Sequence, residues 1–102
     1  MTMDVKPGTR LYSAVCTTEA VVVRAPSEPV DLRCGGRTVE PASGPPVGEP
    51  EGGFDEGTLL GKRYSDVAQS LELLCTKAGK GSLSIGQELL QLSGAKPLPA
   101  SD

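Results

Sequence analysis

Short runs of apolar and β-branched residues, separated by turn-forming residues, dominate the first forty positions of this chain. Residues 11–16 and 19–25 are two such runs, and the second contains three consecutive valines. β-Branched residues favour extended strands, and the two threonines between the runs suit a short connection. The pattern therefore predicts an antiparallel hairpin near the start of the chain.

Two more strands are predicted before residue 41. Residues 26–29 begin and end with proline and predict a turn, after which residues 30–34 form a third strand. Gly35 and Gly36 allow the positive φ of a tight turn, and residues 37–40 return as a fourth strand.

The second half of the chain repeats this alternation. Residues 58–64, 70–76, 83–85 and 88–92 are predicted strands, and the last two flank a Gly-Gln pair that suits a hairpin turn. The sequence thus predicts an all-β fold, a small sheet or partly closed barrel of about six to eight short strands.

A short C-terminal helix over residues 84–93 is the alternative. Ser84 and Gln87 have capping-box spacing, and apolar residues at positions 85, 89 and 92 share one helical face. Such a helix would have about ten residues and a glycine in its first turn, so strands are favoured. Residues 67–75 show a similar helical spacing.

Length and composition indicate a single domain over residues 1–102. Residues 41–57 hold four prolines, five glycines and four acidic residues, and they predict a flexible acidic loop. Residues 96–102 predict an extended tail. With three aromatic residues and no tryptophan the core is thin, so a protein partner, a second copy of the chain or a metal is expected to support it.

The formal net charge is −3 and the basic residues are scattered, which argues against nucleic acid as a partner. Neither a signal-peptide pattern nor a run of apolar residues long enough to span a bilayer occurs, so we expect no membrane association and a cytoplasmic location. The abundance of Gly, Pro, Ala and Val without Asn is typical of a GC-rich, bacterial genome.

Three cysteines and no histidine restrict the chemistry. An odd number of thiols in a reducing compartment argues against a disulfide framework. Cys16, Cys34 and Cys75 are the candidate ligands of a zinc or iron site, although no Cys-x-x-Cys pair is present. The simpler interpretation is three small buried apolar side chains.

The stretch Tyr12-Ser13-Ala14-Val15-Cys16, the valine-rich strand after it and Leu32-Arg33-Cys34-Gly35-Gly36-Arg37-Thr38-Val39 resemble the desulforedoxin (rubredoxin-type) module. The match covers residues 10–40. In that family two strand-borne cysteine pairs bind one iron, and the module is often dimeric. Cys16 and Cys34 would supply one ligand of each pair, while Ser13 or Ala14 and Arg33 stand at the other ligand positions. The resemblance implies mainly a small β-fold.

A thiol-based role for Cys75 is a further hypothesis. Lys77 lies two residues away and would lower the thiol pKa, while the turn at residues 79–82 offers N–H groups that bind an anion. With no histidine to act as base, the sequence identifies no catalytic residue. Residues 57–63 and 78–82 each combine glycine with lysine, but neither stretch has the spacing of a phosphate-binding P-loop.

By elimination, the sequence favours a non-enzymatic accessory or protein-interaction module, with a protein partner or homodimer. A small protein with a Cys-ligated zinc or iron is the first alternative. A thiol-based redox protein or enzyme that uses Cys75 is the second.

Overall fold

A computed structural model describes residues 2–42, 44–66 and 70–93 of the chain. All regular elements in these ranges are β-strands, and they pair in antiparallel fashion into two sheets. The all-β class predicted from the sequence is therefore confirmed. The strands are β1 (Arg10–Tyr12), β2 (Glu19–Arg24), β3 (Leu32–Cys34), β4 (Arg37–Thr38), β5 (Arg63–Ser65), β6 (Glu72–Lys77), β7 (Leu83–Ile85), β8 (Glu88–Leu89) and β9 (Gln91–Ser93).

The larger sheet has five strands in the order β1-β2-β6-β5-β9, and the smaller has four in the order β4-β3-β7-β8. Within the described residues neither sheet closes into a barrel. The centre of the larger sheet is the pair β2 and β6, in which Val22 lies opposite Leu73. This pairing joins the two halves of the chain across the acidic segment between them.

The core lies between the two sheets. Val22 and Leu73 of the larger sheet and Leu32 and Cys34 of the smaller one belong to a single buried cluster. Each of these four side chains is at most 2% exposed. Aliphatic burial of this kind is the main stabilising contribution in a domain with so few aromatic residues.

The C-terminal part of the described chain forms strands, so the helical alternative for residues 84–93 is wrong. β7 and β8 make a hairpin whose turn contains Gly86, with a φ of 59°. Residues 88–92 form two strands instead of one, because β8 stays in the smaller sheet while β9 pairs with β5 in the larger. The buried side chain of Leu90 marks this crossover and explains the ninth strand.

Strands β3, β5 and β6 begin later than the sequence predicts, β6 at Glu72 instead of residue 70. The third begins at Leu32, because Val30 makes only an isolated bridge to Met3. The fifth begins at Arg63, after a turn in which the N–H of residue 62 donates to the carbonyl of residue 59. In the stretch with helical spacing, residues 67–75, the last four residues belong to strand β6. Residues 67–69 lie outside the described ranges.

The described residues of the acidic Pro/Gly segment (residues 41–57) belong to no strand. The segment is nevertheless bonded to the domain through its backbone. The N–H of Val47 donates to Ala14 O at 2.7 Å, and the N–H of Glu51 donates to Gly35 O at 2.9 Å. These bonds hold the segment against the loop that carries Cys16 and the turn that follows Cys34, and its flexibility stays a prediction. The predicted tail, residues 96–102, lies outside the described residues.

No helix in the described ranges is long and apolar enough to cross a membrane.

Candidate thiol site

The connection between β1 and β2 positions Cys16. The sequence predicts a strand over residues 11–16, but β1 ends at Tyr12. The hydroxyl oxygen of Ser13 accepts the N–H groups of Val15 and Cys16, both at 3.1 Å. Such side-chain-to-backbone bonds favour a turn over continued strand pairing. The turn takes Cys16 out of the sheet.

Three polar groups surround the Cys16 sulfur. Its Sγ lies 3.2 Å from Ser13 Oγ and 3.2 Å from Thr18 Oγ1, and it accepts the N–H of Gly81 at 3.3 Å. Because Ser13 Oγ already accepts two N–H groups, its own proton is free to point at the sulfur. When Cys16 is a thiolate, two hydroxyls and one amide therefore donate to it.

These donors set the ionisation of Cys16. Burial raises the pKa of the thiol, but the hydrogen bonds of Ser13, Thr18 and the backbone of Thr18 and Gly81 together lower it by more. The balance brings the pKa of Cys16 down to about 7. A thiolate is the nucleophilic form of cysteine, and the lowered pKa of Cys16 favours this form at neutral pH without a histidine or another base.

Cys34 is the neighbour of Cys16. The two sulfur atoms lie 4.0 Å apart, and Cys34 is 0% exposed, compared with 9% for Cys16. Burial raises the pKa of Cys34 to about 12, and the negative charge of the Cys16 thiolate acts in the same direction. The pair is therefore asymmetric: one thiol is ionisable at the edge of the core, and the other is protonated inside it.

Cys75 has different surroundings. It is 1% exposed, and its Sγ lies 3.2 Å from the carbonyl oxygen of Lys77. Burial raises the pKa of Cys75, a hydrogen bond at Lys77 lowers it by less, and the charge of Cys16 raises it further. The sequence suggests that the charge of Lys77 lowers the pKa of Cys75, but in the structure that pKa is raised. The turn at residues 79–82, for which the sequence suggests anion binding, donates the N–H of Gly81 to Cys16 instead.

Two glycines make room for this arrangement. A Cβ atom on Gly79 would approach the Thr18 backbone nitrogen to 2.5 Å and Cys16 Sγ to 3.0 Å. A Cβ on Gly81 would lie 3.0 Å from the backbone of Gly35 and 3.2 Å from Cys16 Sγ. Only glycine therefore lets the 79–81 backbone come close enough to donate to the sulfur.

Cys16 also borders two surface clefts. The first has a volume of about 190 Å³ and the second about 300 Å³. Cys16, Thr17 and Pro46 line both, so they form the wall between the clefts. Cys16 is buried, yet it borders space that a small molecule can enter.

The three predicted metal ligands do not form one site. Cys16 and Cys34 lie together, but no group of three or more His, Cys, Asp or Glu side chains in the described ranges is placed to hold a metal ion. Ser13 Oγ lies 3.2 Å from the Cys16 sulfur, and Arg33 is paired with Asp31 at 2.9 Å. The described residues of one chain therefore do not fit the four-thiolate iron centre that the desulforedoxin resemblance implies.

No protein-family model, curated protein or solved structure matches this chain. The desulforedoxin resemblance stays a prediction.

Proposed function

We propose that this protein carries out thiol–disulfide exchange, with Cys16 as the attacking thiol and Cys34 as the resolving thiol. The observation that supports this most directly is the 4.0 Å separation of an edge cysteine with three hydrogen-bond donors and a fully buried second cysteine. The proposal keeps the thiol-based alternative drawn from the sequence but moves it from Cys75 to this pair.

In the first step the Cys16 thiolate attacks one sulfur of a substrate disulfide, RS–SR. A bond forms between Cys16 and that sulfur, the substrate S–S bond breaks, and the other half leaves as RS⁻. The incoming disulfide has access to Cys16 through the clefts and has no comparable access to Cys34. The order of attack follows from this difference in exposure.

In the second step Cys34 attacks Cys16 Sγ. Burial, the main cause of the raised pKa of Cys34, persists in the mixed disulfide, but the smaller contribution from the charge of Cys16 is gone, and hydrogen bonds of Ser13 and Thr18 lower the pKa. As the Cys16–Cys34 bond forms and the bond between Cys16 and the substrate sulfur breaks, the proton of Cys34 passes to the departing thiolate, so the second half leaves as RSH. The sulfurs must close from 4.0 Å to about 2 Å, a side-chain movement. The protein is oxidised by two electrons and the substrate disulfide is reduced to two thiols.

Incubation of the reduced protein with hydroxyethyl disulfide, followed by acid quenching and mass spectrometry, tests this function. We expect the loss of two hydrogens and a peptide map that links Cys16 to Cys34. Cys75→Ser should behave like the parent protein, whereas Cys16→Ser should form no such link. A link that requires Cys75, or no link in folded protein, would contradict the proposal.

A metal site shared between two copies is the second candidate. In a tetrahedral site with Zn–S bonds of about 2.3 Å, ligand sulfurs lie about 3.8 Å apart, close to the 4.0 Å found here. Two copies would then supply four thiolates. Elemental analysis of protein purified without chelators distinguishes this candidate: about one zinc or iron per two chains, lost in a Cys16→Ser, Cys34→Ser variant, would favour it.

The accessory-module interpretation, with a protein partner or homodimer, stays a prediction. A cytoplasmic location belongs with the proposed function, because a reducing compartment returns the Cys16–Cys34 pair to its dithiol form. Sedimentation equilibrium of the reduced protein would establish whether one chain or two form the unit.

A further inference from the structure

Each of the two clefts beside Cys16 is lined by one acidic and one basic side chain. The first is lined by Glu19 and Lys77, whose carboxylate and ammonium groups lie 4.0 Å apart. The second is lined by Glu49 and Lys80. Each side of the thiol therefore offers one anion and one cation to a bound molecule.

A symmetrical disulfide has two equal halves joined at its sulfur atoms, and this site has two clefts that meet at Cys16. Its sulfur atoms meet the attacking thiolate at the centre, and its two halves extend away from it. Cys16 stands in the wall between the clefts, so one half of the disulfide remains bonded to Cys16 in one cleft while the other half leaves through the second. Clefts of about 190 and 300 Å³ suit halves the size of an amino acid.

We infer that the substrate is a small disulfide whose two halves each carry an ammonium and a carboxylate group, that is, a disulfide of the cystine type. The lysine of each cleft would bind the carboxylate and the glutamate would bind the ammonium group. In the first cleft the ligand would replace a 4.0 Å contact between Glu19 and Lys77, one that is long for an ion pair and partly exposed to solvent. This inference rests on the proposed exchange function and names its substrate class.

The experiment compares four disulfides with the reduced full-length protein: cystine, cystamine, dithiodiglycolate and hydroxyethyl disulfide. They carry both charges, only ammonium, only carboxylate and no charge, respectively. Each rate of oxidation is divided by the rate of the same disulfide with a small reference thiol, which removes its intrinsic reactivity. We expect cystine to exceed each of the others by about tenfold, and the advantage to fall as salt is added.

Charge variants test the assignment of the clefts. Lys80→Gln and Lys77→Gln should each lower the normalised rate of cystine several-fold more than that of hydroxyethyl disulfide, and so remove most of the advantage of cystine. Lys6→Gln is the matched control, because it removes one positive charge from an exposed position that lines neither cleft. Equal losses in all three variants would show a general effect of net charge and overturn the inference.

The outcomes separate the inference from the function on which it rests. Equal normalised rates for the four disulfides, or a preference for only one sign of charge, would overturn the cystine-type assignment and leave disulfide exchange intact. Failure of folded protein to react with any of the four would overturn the exchange function itself. Circular dichroism of each variant establishes that it is folded.

Discussion

The sulfur atoms of Cys16 and Cys34 lie 4.0 Å apart, although Cys16 follows a strand of the five-stranded sheet and Cys34 ends a strand of the four-stranded sheet. A bond between them would join the two layers of the domain. The turn made by Ser13 and the close approach of Gly81 hold Cys16 in this place. The chemistry of the site is thus tied to the packing of the two sheets.

The pH dependence of alkylation should report the ionisation of Cys16. In a Cys34→Ser, Cys75→Ser variant the rate of reaction with iodoacetamide should rise with pH and reach half its maximum near pH 7, because only the thiolate reacts and the pKa of Cys16 is lowered to about 7. An ordinary thiol has its midpoint at about 8.5. A midpoint at or above that value would show that the three donors do not act on the sulfur.

Removing one donor should raise that midpoint. Thr18→Val deletes a hydroxyl that lies 3.2 Å from Cys16 Sγ and keeps the shape of the side chain. One hydrogen bond to a charged group contributes about 1.5 kcal/mol, so the midpoint should move up from about pH 7 to about pH 8. Thr17→Val is the control, because its hydroxyl donates to Ala78 O at 2.7 Å and not to the sulfur. The same displacement in both variants would argue against a specific role for Thr18.

Replacing Cys34 should trap the first intermediate. Cys34→Ser retains Cys16 but cannot resolve a mixed disulfide, so treatment with hydroxyethyl disulfide should add one mercaptoethanol group to Cys16, with a lifetime far longer than in the parent protein. Cys75→Ser should show no such accumulation. Intact-mass spectrometry after quenching measures the adduct. Rapid loss of the adduct in Cys34→Ser would assign the resolving role to another group.

Oxidation should stabilise the fold. A disulfide between Cys16 and Cys34 closes a loop of fewer than twenty residues, and in the chain-entropy account such a loop contributes about 3 kcal/mol to the free energy of unfolding. Urea unfolding with and without reductant measures the difference. Cys34→Ser provides the control, since its stability should not respond to reductant. Lower stability of the oxidised protein would indicate that the bond strains the two sheets.

Part of the fold follows from local sequence signals. The turns at Gly35-Gly36 and at Gly86 have the positive φ that their hairpins require, and the sequence predicts both. The end of β1 at Tyr12 does not follow from apolar spacing, because the bonds made by Ser13 Oγ interrupt an otherwise strand-like run. The division of residues 88–92 between two sheets depends on tertiary pairing, which local spacing does not encode.

The candidate site was predictable only in its parts. The sequence shows the absence of histidine, the three cysteines and a turn at residues 79–82 whose N–H groups suggest anion binding. These parts come together only in the tertiary structure, where the turn donates to Cys16, 65 positions away, and not to nearby Cys75. Ser13 and Thr18 were missed as partners of Cys16. Their hydroxyls, at three residues before and two residues after the cysteine, are the local signal that was available.

A redox titration tests the central claim most directly. The parent protein is equilibrated in buffers of defined thiol-to-disulfide ratio, quenched with acid, and assayed by mass spectrometry for the Cys16–Cys34 link. We predict one reversible two-electron transition, with a tenfold change in the oxidised-to-reduced ratio for about every 30 mV, unchanged in Cys75→Ser and absent in Cys16→Ser. Folded protein in which Cys16 and Cys34 never join across the accessible range, or join only when Cys75 is present, would contradict the account.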